Sequence, residues 1–228
     1  MEVIQSQSNP KFSLYVERAK ESKMGVIVVQ EIYGVNAEVK RVVKQLAEWG
    51  FSAGAPDLFW RHAPNTVFAY EDRIPARDTI ATLKGDDFVT DIVQAAKDLK
   101  QAVGVEHVAL LTLGWGGKFG LLAANAMNAS AVTLFYPGNI EGSEALANQV
   151  KAPQLYIFAE KDSRTPPSVR LGLRKNVLER DDVEIVVHRS VDHGFANRDR
   201  DEYDKNGADS ADVLARDFLT RVAREASK

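Results

Sequence analysis

The fold is decided by the stretch VALLTLGWGGK at residues 108–118. Its first six residues form the most apolar short run of the chain, which is typical of a strand buried on both faces of a sheet. The turn GWGG follows at residues 114–117, and residues 118–127 are dense in alanine and leucine, as in a well-packed helix. The stretch therefore predicts a strand that turns sharply into a central helix.

The same alternation extends outward from this turn in both directions. Short apolar runs typical of strands lie at residues 25–30, 51–55, 131–135, 154–159 and 183–187. Amphipathic stretches typical of helices lie at residues 36–49, 86–102, 167–179 and 210–226, with Ser210 as the N-cap of the last. Residues 57–84 predict an irregular excursion with short helices. Strands separated by helices predict an α/β fold: a doubly wound, mostly parallel sheet with helices on both faces.

The composition limits the classes of protein to which the chain can belong. A length of 228 residues predicts a single domain spanning residues 1–228. The net charge of -3 and the absence of a basic run exclude nucleic acid as a partner. The chain has no cysteine, which excludes disulfides, thiolate metal sites and a cysteine nucleophile. No metal-ligand spacing, phosphate loop or dinucleotide motif occurs, so we expect neither a metal nor a cofactor.

The N-terminus and the hydropathy pattern bear on location. The opening residues are polar and lack the basic and apolar regions of a signal peptide. No apolar run approaches the roughly 18 residues of a membrane span. We therefore expect a cytoplasmic protein with no membrane partner.

Three positions that follow predicted strands could form one catalytic site. The turn at Gly114 follows the strand at residues 108–113, Asp162 follows the next-to-last strand, and His193 follows the last. Ligands in such sheets bind beyond the carboxyl ends of the strands. The order of turn, acid and histidine is that of the α/β-hydrolases, in which the turn carries the nucleophile.

Four segments together resemble the dienelactone hydrolase family. They are VVQEIYGVN at residues 28–36, APDLFWR at 55–61, LGWGGK at 113–118 and HGFANR at 193–198. The likeness spans nearly the whole chain in the family's order. It implies an α/β-hydrolase fold and activity on lactones or esters of small carboxylic acids, with a small-molecule substrate or ligand as the partner.

The resemblance also implies roles for individual residues. Asp162 matches the triad acid, His193 the triad base, and Glu31 the glutamate that lies against the resting nucleophile. The backbone N–H groups of Ile32 and Trp115 match the oxyanion-hole donors, which stabilise the charge that develops on the substrate oxygen. The residues expected to contact substrate are Tyr33, Trp60, Arg61, Phe195 and Arg198.

The sequence departs from the family pattern at three positions. Gly114, which has no side chain, stands where the family has its cysteine nucleophile. Thr112 replaces a glycine two residues earlier, and Asn197 stands where the family has an arginine, with Arg198 adjacent. Other arginines that could bind a substrate carboxylate are Arg61, Arg73 and Arg77, although a solvated surface is the favoured interpretation of each.

Three interpretations of Gly114 remain open from the sequence. The protein could be a hydrolase in which His193 activates a water, with Thr112 as an alternative nucleophile. It could be a non-catalytic protein, a pseudoenzyme, that binds a small molecule on the same fold. It could also be an engineered variant of an active enzyme from which the nucleophile was removed. A glycine suits the strained turn of a nucleophile elbow in each case, because it adopts positive φ at little cost.

Overall fold

The computed structural model describes residues 1–226, whose eight strands form one sheet in the order β1-β2-β4-β3-β5-β6-β7-β8. The strands are β1 Glu2–Gln5, β2 Ser13–Glu17, β3 Met24–Val29, β4 Ser52–Pro56, β5 His107–Leu113, β6 Val132–Phe135, β7 Gln154–Ala159 and β8 Val183–His188. Strands β3 to β8 pair in parallel, and the antiparallel strands β1 and β2 extend one edge. The predicted α/β architecture with a mostly parallel sheet is confirmed.

Helices cover both faces of this sheet. They are α1 Ala37–Glu48, α2 Arg73–Thr82, α3 Gly85–Val103, α4 Gly117–Met127, α5 Leu146–Gln149, α6 Pro167–Asn176 and α7 Lys205–Ala226, with a 3₁₀ turn at Gly114–Gly116. Helices α3 and α4 pack against one face, and α1 and α7 pack against the other. None of the helices within residues 1–226 is both long and apolar enough to cross a membrane.

The central strand β3 shows why the sheet is buried on both faces. Ile27 and Val29 pack in the apolar cluster under α3 and α4, whereas Val26 and Val28 pack in the cluster under α1 and α7. All four side chains are fully or almost fully buried. Each such burial contributes about 1.5–3 kcal/mol, which is why a continuous apolar run is stable here.

The structure differs from the sequence prediction at both ends of the chain. Helix α7 begins at Lys205, so the prediction that Ser210 is its N-cap is wrong. The side chain of Asp204 instead accepts a hydrogen bond from the Gly207 amide, at 2.7 Å, and caps the first turn. Strands β1 and β2 were not predicted, because they are short and have a mixed polar and apolar pattern.

The parallel strands determine where functional side chains can meet. Strands β3, β5, β7 and β8 present their carboxyl ends at the same edge of the sheet. Glu31, Gly114, Asp162 and His193 follow these four strands in that order. The fold therefore brings together four positions that lie up to 162 residues apart in the sequence.

Candidate active site

The turn after β5 has the backbone geometry of a sharp elbow. Gly114 has a φ of 48°, in the left-handed region that favours glycine. Its carbonyl oxygen accepts a hydrogen bond from the Gly138 amide, at 2.6 Å. The next glycine, Gly116, is held against β3, since an added Cβ would lie 2.8 Å from Val29 Cγ1. The turn is thus closely packed, and helix α4 begins directly after it.

His193 and Asp162 form a buried hydrogen-bonded pair at the ends of β8 and β7. The distance between His193 Nδ1 and Asp162 Oδ2 is 2.7 Å. The Arg164 amide donates to the other carboxylate oxygen at 2.8 Å. Burial raises the pKa of Asp162, but the hydrogen bond and charge of His193, together with Arg164, hold that pKa below its ordinary value. An ionised Asp162 can therefore fix the tautomer in which Nε2 of His193 is free to accept a proton.

Glu31 and His193 converge on the elbow. An ideal Cβ built on Gly114 would lie 3.2 Å from Glu31 Oε1 and 3.2 Å from His193 Nε2. The Glu31 side chain is 7% exposed, and within residues 1–226 its Oε1 atom has no hydrogen-bond partner. Its Oε2 atom lies 3.5 Å from Arg200 Nη1. A side chain at position 114 would therefore point towards Glu31 Oε1 and His193 Nε2, which come from two other loops.

A cavity of about 350 Å³ opens in front of this group. Ile32 and Trp115 border it together with Glu31 and His193. Trp115 lies in the first turn of the 3₁₀ segment, where backbone N–H groups have no acceptor within the helix. Its ring packs on Phe88 and Phe119, at centroid distances of 5.0 and 4.8 Å, which holds the turn in place.

Some of the residues predicted to contact substrate do not border the cavity, although Tyr33 does. The Trp60 indole donates to Asp91 at 2.8 Å, and Arg61 forms a salt bridge with the same carboxylate, so both lie against α3. Phe195 is fully buried under α7, and Arg198 is exposed. The segment at residues 55–61 begins in the last two residues of β4, which lies one strand farther than β3 from the elbow.

Four arginines border the cavity instead, of which Arg164 and Arg200 were not predicted. Arg73 and Arg77 extend from α2, Arg164 from the loop after β7 and Arg200 from the loop after β8. Arg200 is 8% exposed and contacts Glu202 at 3.1 Å. Burial lowers the pKa of Arg200, but Glu202 and Glu31 raise it above its ordinary value, so the guanidinium stays charged. Closeness to the acid and the histidine in sequence was the only signal for Arg164 and Arg200.

The comparison with known proteins identifies the family. The model of the dienelactone hydrolase family matches residues 12–223. The chain belongs to the dienelactone hydrolase family.

Individual known proteins resemble the chain along almost its full length. A carboxymethylenebutenolidase from Pseudomonas putida is 27% identical over 225 residues, which is 95% of this chain and 94% of the relative. A dienelactone hydrolase-like promiscuous phosphotriesterase from metagenomic libraries has a TM-score of 0.78 at 18% identity, covering 97% of both chains. An α/β serine hydrolase homologue from Coxiella burnetii has a TM-score of 0.65 at 16% identity, covering 96% of both. The structural likenesses establish an α/β-hydrolase fold.

The resemblance to dienelactone hydrolases predicts an arginine at position 197. The asparagine that stands there forms a hydrogen-bonded bridge instead. Its side-chain amide donates to the Tyr70 hydroxyl at 2.8 Å, and the Asn36 amide donates to the same oxygen at 3.0 Å. Burial raises the pKa of Tyr70 to about 12. The bridge connects the histidine loop to the N-terminus of α1, because Asn36 also caps that helix through the Val39 amide.

Thr112, the second departure from the dienelactone hydrolase pattern, does not border the cavity. Its hydroxyl is fully buried and, within the described chain, has no hydrogen-bond partner. Its methyl group packs on α4, since a Cβ added at Gly120 would lie 2.2 Å from Thr112 Cγ2. The side chain therefore fills the contact between β5 and α4.

Proposed function

We propose that this protein hydrolyses ester or lactone bonds of small carboxylic acids, using a water activated by His193 in place of a side-chain nucleophile at Gly114. One observation carries the proposal. The point where a Cβ of residue 114 would lie is 3.2 Å from both His193 Nε2 and Glu31 Oε1. The space into which a side chain at position 114 would project therefore lies between these two groups. A water oxygen in this space, farther from the backbone than the Cβ point, could lie within hydrogen-bond distance of both.

In the proposed reaction, His193 and the oxyanion-hole amides act at successive steps. His193 Nε2 accepts a proton from the water while its oxygen attacks the substrate carbonyl carbon. The N–H groups of Ile32 and Trp115 donate to the oxygen that becomes negatively charged. When the tetrahedral intermediate collapses, the ester C–O bond breaks and His193 returns the proton to the leaving alkoxide. The products are an acid and an alcohol, or one hydroxy acid from a lactone.

Glu31 and Asp162 act as positioning residues in this proposal. Asp162, at 2.7 Å from Nδ1, holds the imidazole so that Nε2 faces the water. Glu31 Oε1 accepts the second hydrogen of that water and directs a lone pair towards the carbonyl carbon. Arg200, 3.5 Å from the other oxygen of Glu31, orients this carboxylate.

The glycine itself favours a second function, binding of a small carboxylic acid or ester without turnover. Enzymes that lose a triad nucleophile keep only about 10³- to 10⁴-fold acceleration over water, from the oxyanion hole and binding. A site that keeps its oxyanion hole and its binding contacts can serve as a receptor. An engineered variant of an active enzyme from which the nucleophile was removed would keep the same site. Turnover distinguishes the hydrolase from the receptor.

The test is hydrolysis of a panel of small esters and lactones by three purified proteins. They are the natural chain, His193→Ala and His62→Ala, in which an exposed histidine outside the cavity is removed as a matched control. We expect about 10³-fold acceleration over the uncatalysed rate for the natural chain and for the control. His193→Ala should be slower than both by about 10²-fold or more, which is the contribution of a positioned general base. Equal rates for all three proteins, or an acyl-enzyme adduct in the intact mass spectrum, would refute water activation by His193.

A further inference from the structure

His193 presents a basic atom to the cavity. Its Nδ1 atom binds Asp162 Oδ2 at 2.7 Å, and within residues 1–226 this is the one hydrogen bond of the imidazole ring. His193 borders the cavity, although most of its surface is buried. Because the Asp162 carboxylate fixes the orientation of the ring, Nε2 is in position to accept a proton from a bound molecule.

Gly114 leaves this basic atom without a side chain in front of it. In a catalytic triad the nucleophile is hydrogen-bonded to the histidine nitrogen and stands between that base and the substrate. A Cβ at residue 114 would lie 3.2 Å from His193 Nε2, so this is the position at which the glycine has no side-chain atoms. A carbon atom of a bound molecule can therefore approach Nε2 directly.

The walls of the cavity suit a carbonyl compound with an apolar body. Ile32 and Trp115, whose N–H groups are the proposed oxyanion donors, border it, and Ile80 and Tyr33 add apolar surface. Its volume of about 350 Å³ lies within the range of about 300–1,000 Å³ that is typical of small-molecule sites. The base of a triad acts on an atom in contact with the substrate carbonyl carbon, so a carbon bonded to that carbonyl is also within its reach.

These groups are the ones that proton abstraction next to a carbonyl requires. A positioned base removes the proton from carbon, and hydrogen-bond donors stabilise the negative charge that develops on the carbonyl oxygen. Asp162 also stabilises the imidazolium that forms, through the 2.7 Å hydrogen bond to Nδ1. No nucleophile takes part, so the glycine at position 114 removes nothing that this chemistry needs.

We propose that the site has a second activity, enolisation, in which His193 removes a proton from the carbon next to the carbonyl group of a small ketone, ester or lactone. The C–H bond breaks, an N–H bond forms at Nε2, and the electron pair of the C–H bond becomes the C=C bond of an enolate. The enolate oxygen accepts hydrogen bonds from the Ile32 and Trp115 amides, and the imidazolium then returns a proton to carbon. In a β,γ-unsaturated substrate, return of the proton to the γ carbon moves the double bond next to the carbonyl, which is an isomerisation. This activity does not depend on the proposed hydrolysis, because no water attacks the substrate.

Exchange of hydrogen for deuterium in cyclopentanone tests this activity, because this ketone has no ester or lactone bond. The protein is incubated with the ketone in heavy water at low buffer concentration, and proton NMR and mass spectrometry follow the hydrogens next to the carbonyl. We expect the natural chain to exchange them at least about 10²-fold faster than His193→Ala, which is the contribution of a positioned general base. One hydrogen on each of the two carbons should exchange, because a fixed base reaches only one side of each carbon.

Three further variants assign the exchange to the geometry at residue 114. Gly114→Ala places a methyl group 3.2 Å from Nε2, where the substrate carbon must approach, and should slow exchange to the rate of His193→Ala. His193→Asn keeps a polar side chain beside Asp162 but has no basic nitrogen, and should be equally slow. His62→Ala is the matched control: His62 is exposed, lies outside the cavity and should have no effect on exchange. Thermal unfolding of each variant verifies that it is folded.

An exchange rate of the natural chain equal to that of the two His193 variants would overturn the proposal. Exchange of both hydrogens on each carbon at the same rate would also overturn it, because that is the pattern of a base free in solution. Undiminished exchange in Gly114→Ala would refute the direct approach of carbon to Nε2. Exchange in cyclopentanone without hydrolysis of the ester and lactone panel would support enolisation and refute the proposed function, and hydrolysis without exchange would do the reverse.

Discussion

Replacing Gly114 by cysteine is expected to raise the rate of ester or lactone hydrolysis at least about a hundredfold over the natural chain. A new thiol would project between Glu31 and His193, because the Cβ that carries it lies 3.2 Å from a polar atom of each. Removing the nucleophile of a catalytic triad costs on the order of 10⁶-fold in kcat, so a thiol at this point should recover part of that loss.

The same substitution has a cost in stability that follows from the turn. A side chain at a φ of 48° costs about 1–2 kcal/mol relative to glycine. The two 3.2 Å contacts of the new Cβ are tight but involve the ends of polar side chains, so small shifts can relieve them. In a protein of this size, 1 kcal/mol corresponds to about 2–4 °C in Tm. The Tm should therefore fall by roughly 2–8 °C.

The assay measures kcat/KM on the ester and lactone panel, together with Tm and the intact mass for an acyl-enzyme. Gly114→Ala is the matched control, since it introduces the same Cβ and backbone strain without a thiol. It should show the fall in Tm without the gain in rate. Adding His193→Ala to the cysteine variant should abolish the gain. A cysteine variant that is as stable as Gly114→Ala, yet no faster, would refute the reasoning that position 114 faces a competent base.

Three further predictions concern groups around the site. In the folded protein the pKa of Asp162 lies below its ordinary value of 3.8, so the ionised group stabilises the fold above that pH and loses this effect as the pH falls through the lower folded value. Asp162→Asn should therefore lower Tm at neutral pH, with a difference that shrinks in acid; a constant difference would contradict this. Thr112→Val removes a buried hydroxyl without a partner in the described chain and should stabilise the protein by about 1 kcal/mol in denaturant titrations. It should leave hydrolysis unchanged, and a loss of hydrolysis would instead support Thr112 as a nucleophile. Tyr70→Phe deprives two asparagine amides of their acceptor and should cost about 1 kcal/mol. An unchanged midpoint would show that water replaces the hydroxyl.

Much of the fold could be predicted from the sequence because a buried parallel sheet leaves a strong local signal. The strand predicted at residues 154–159 has the observed bounds, and the one predicted at residues 25–30 is shifted by one residue. Their side chains are buried on both faces, so apolar composition alone marks them. The start of α7 was missed, because polar residues such as Lys205 and Asn206 carry no helical periodicity.

The sequence predicts only those site residues whose positions follow from the order of the strands and from the points where the strands end. Asp162 and His193 meet because β7 and β8 are adjacent and parallel, which the sequence pattern implied. The contacts of the long arginine side chains could not be predicted in this way. Arg61 pairs with Asp91, which lies 30 residues away on α3, and no local pattern reveals that partner. The direction of Arg200 likewise depends on how its loop folds, so Arg198 was an equally reasonable expectation.

The left-handed turn at Gly114 also affects how easily catalytic activity could be lost or regained during evolution. Some glycine codons differ from those of cysteine and of serine by a single base. The backbone is already in the conformation that the turn requires, and the neighbouring imidazole and carboxylate are in place. A gene with one of those codons at position 114 is one point mutation away from a nucleophile on an intact scaffold, without any intermediate that must first rebuild the turn.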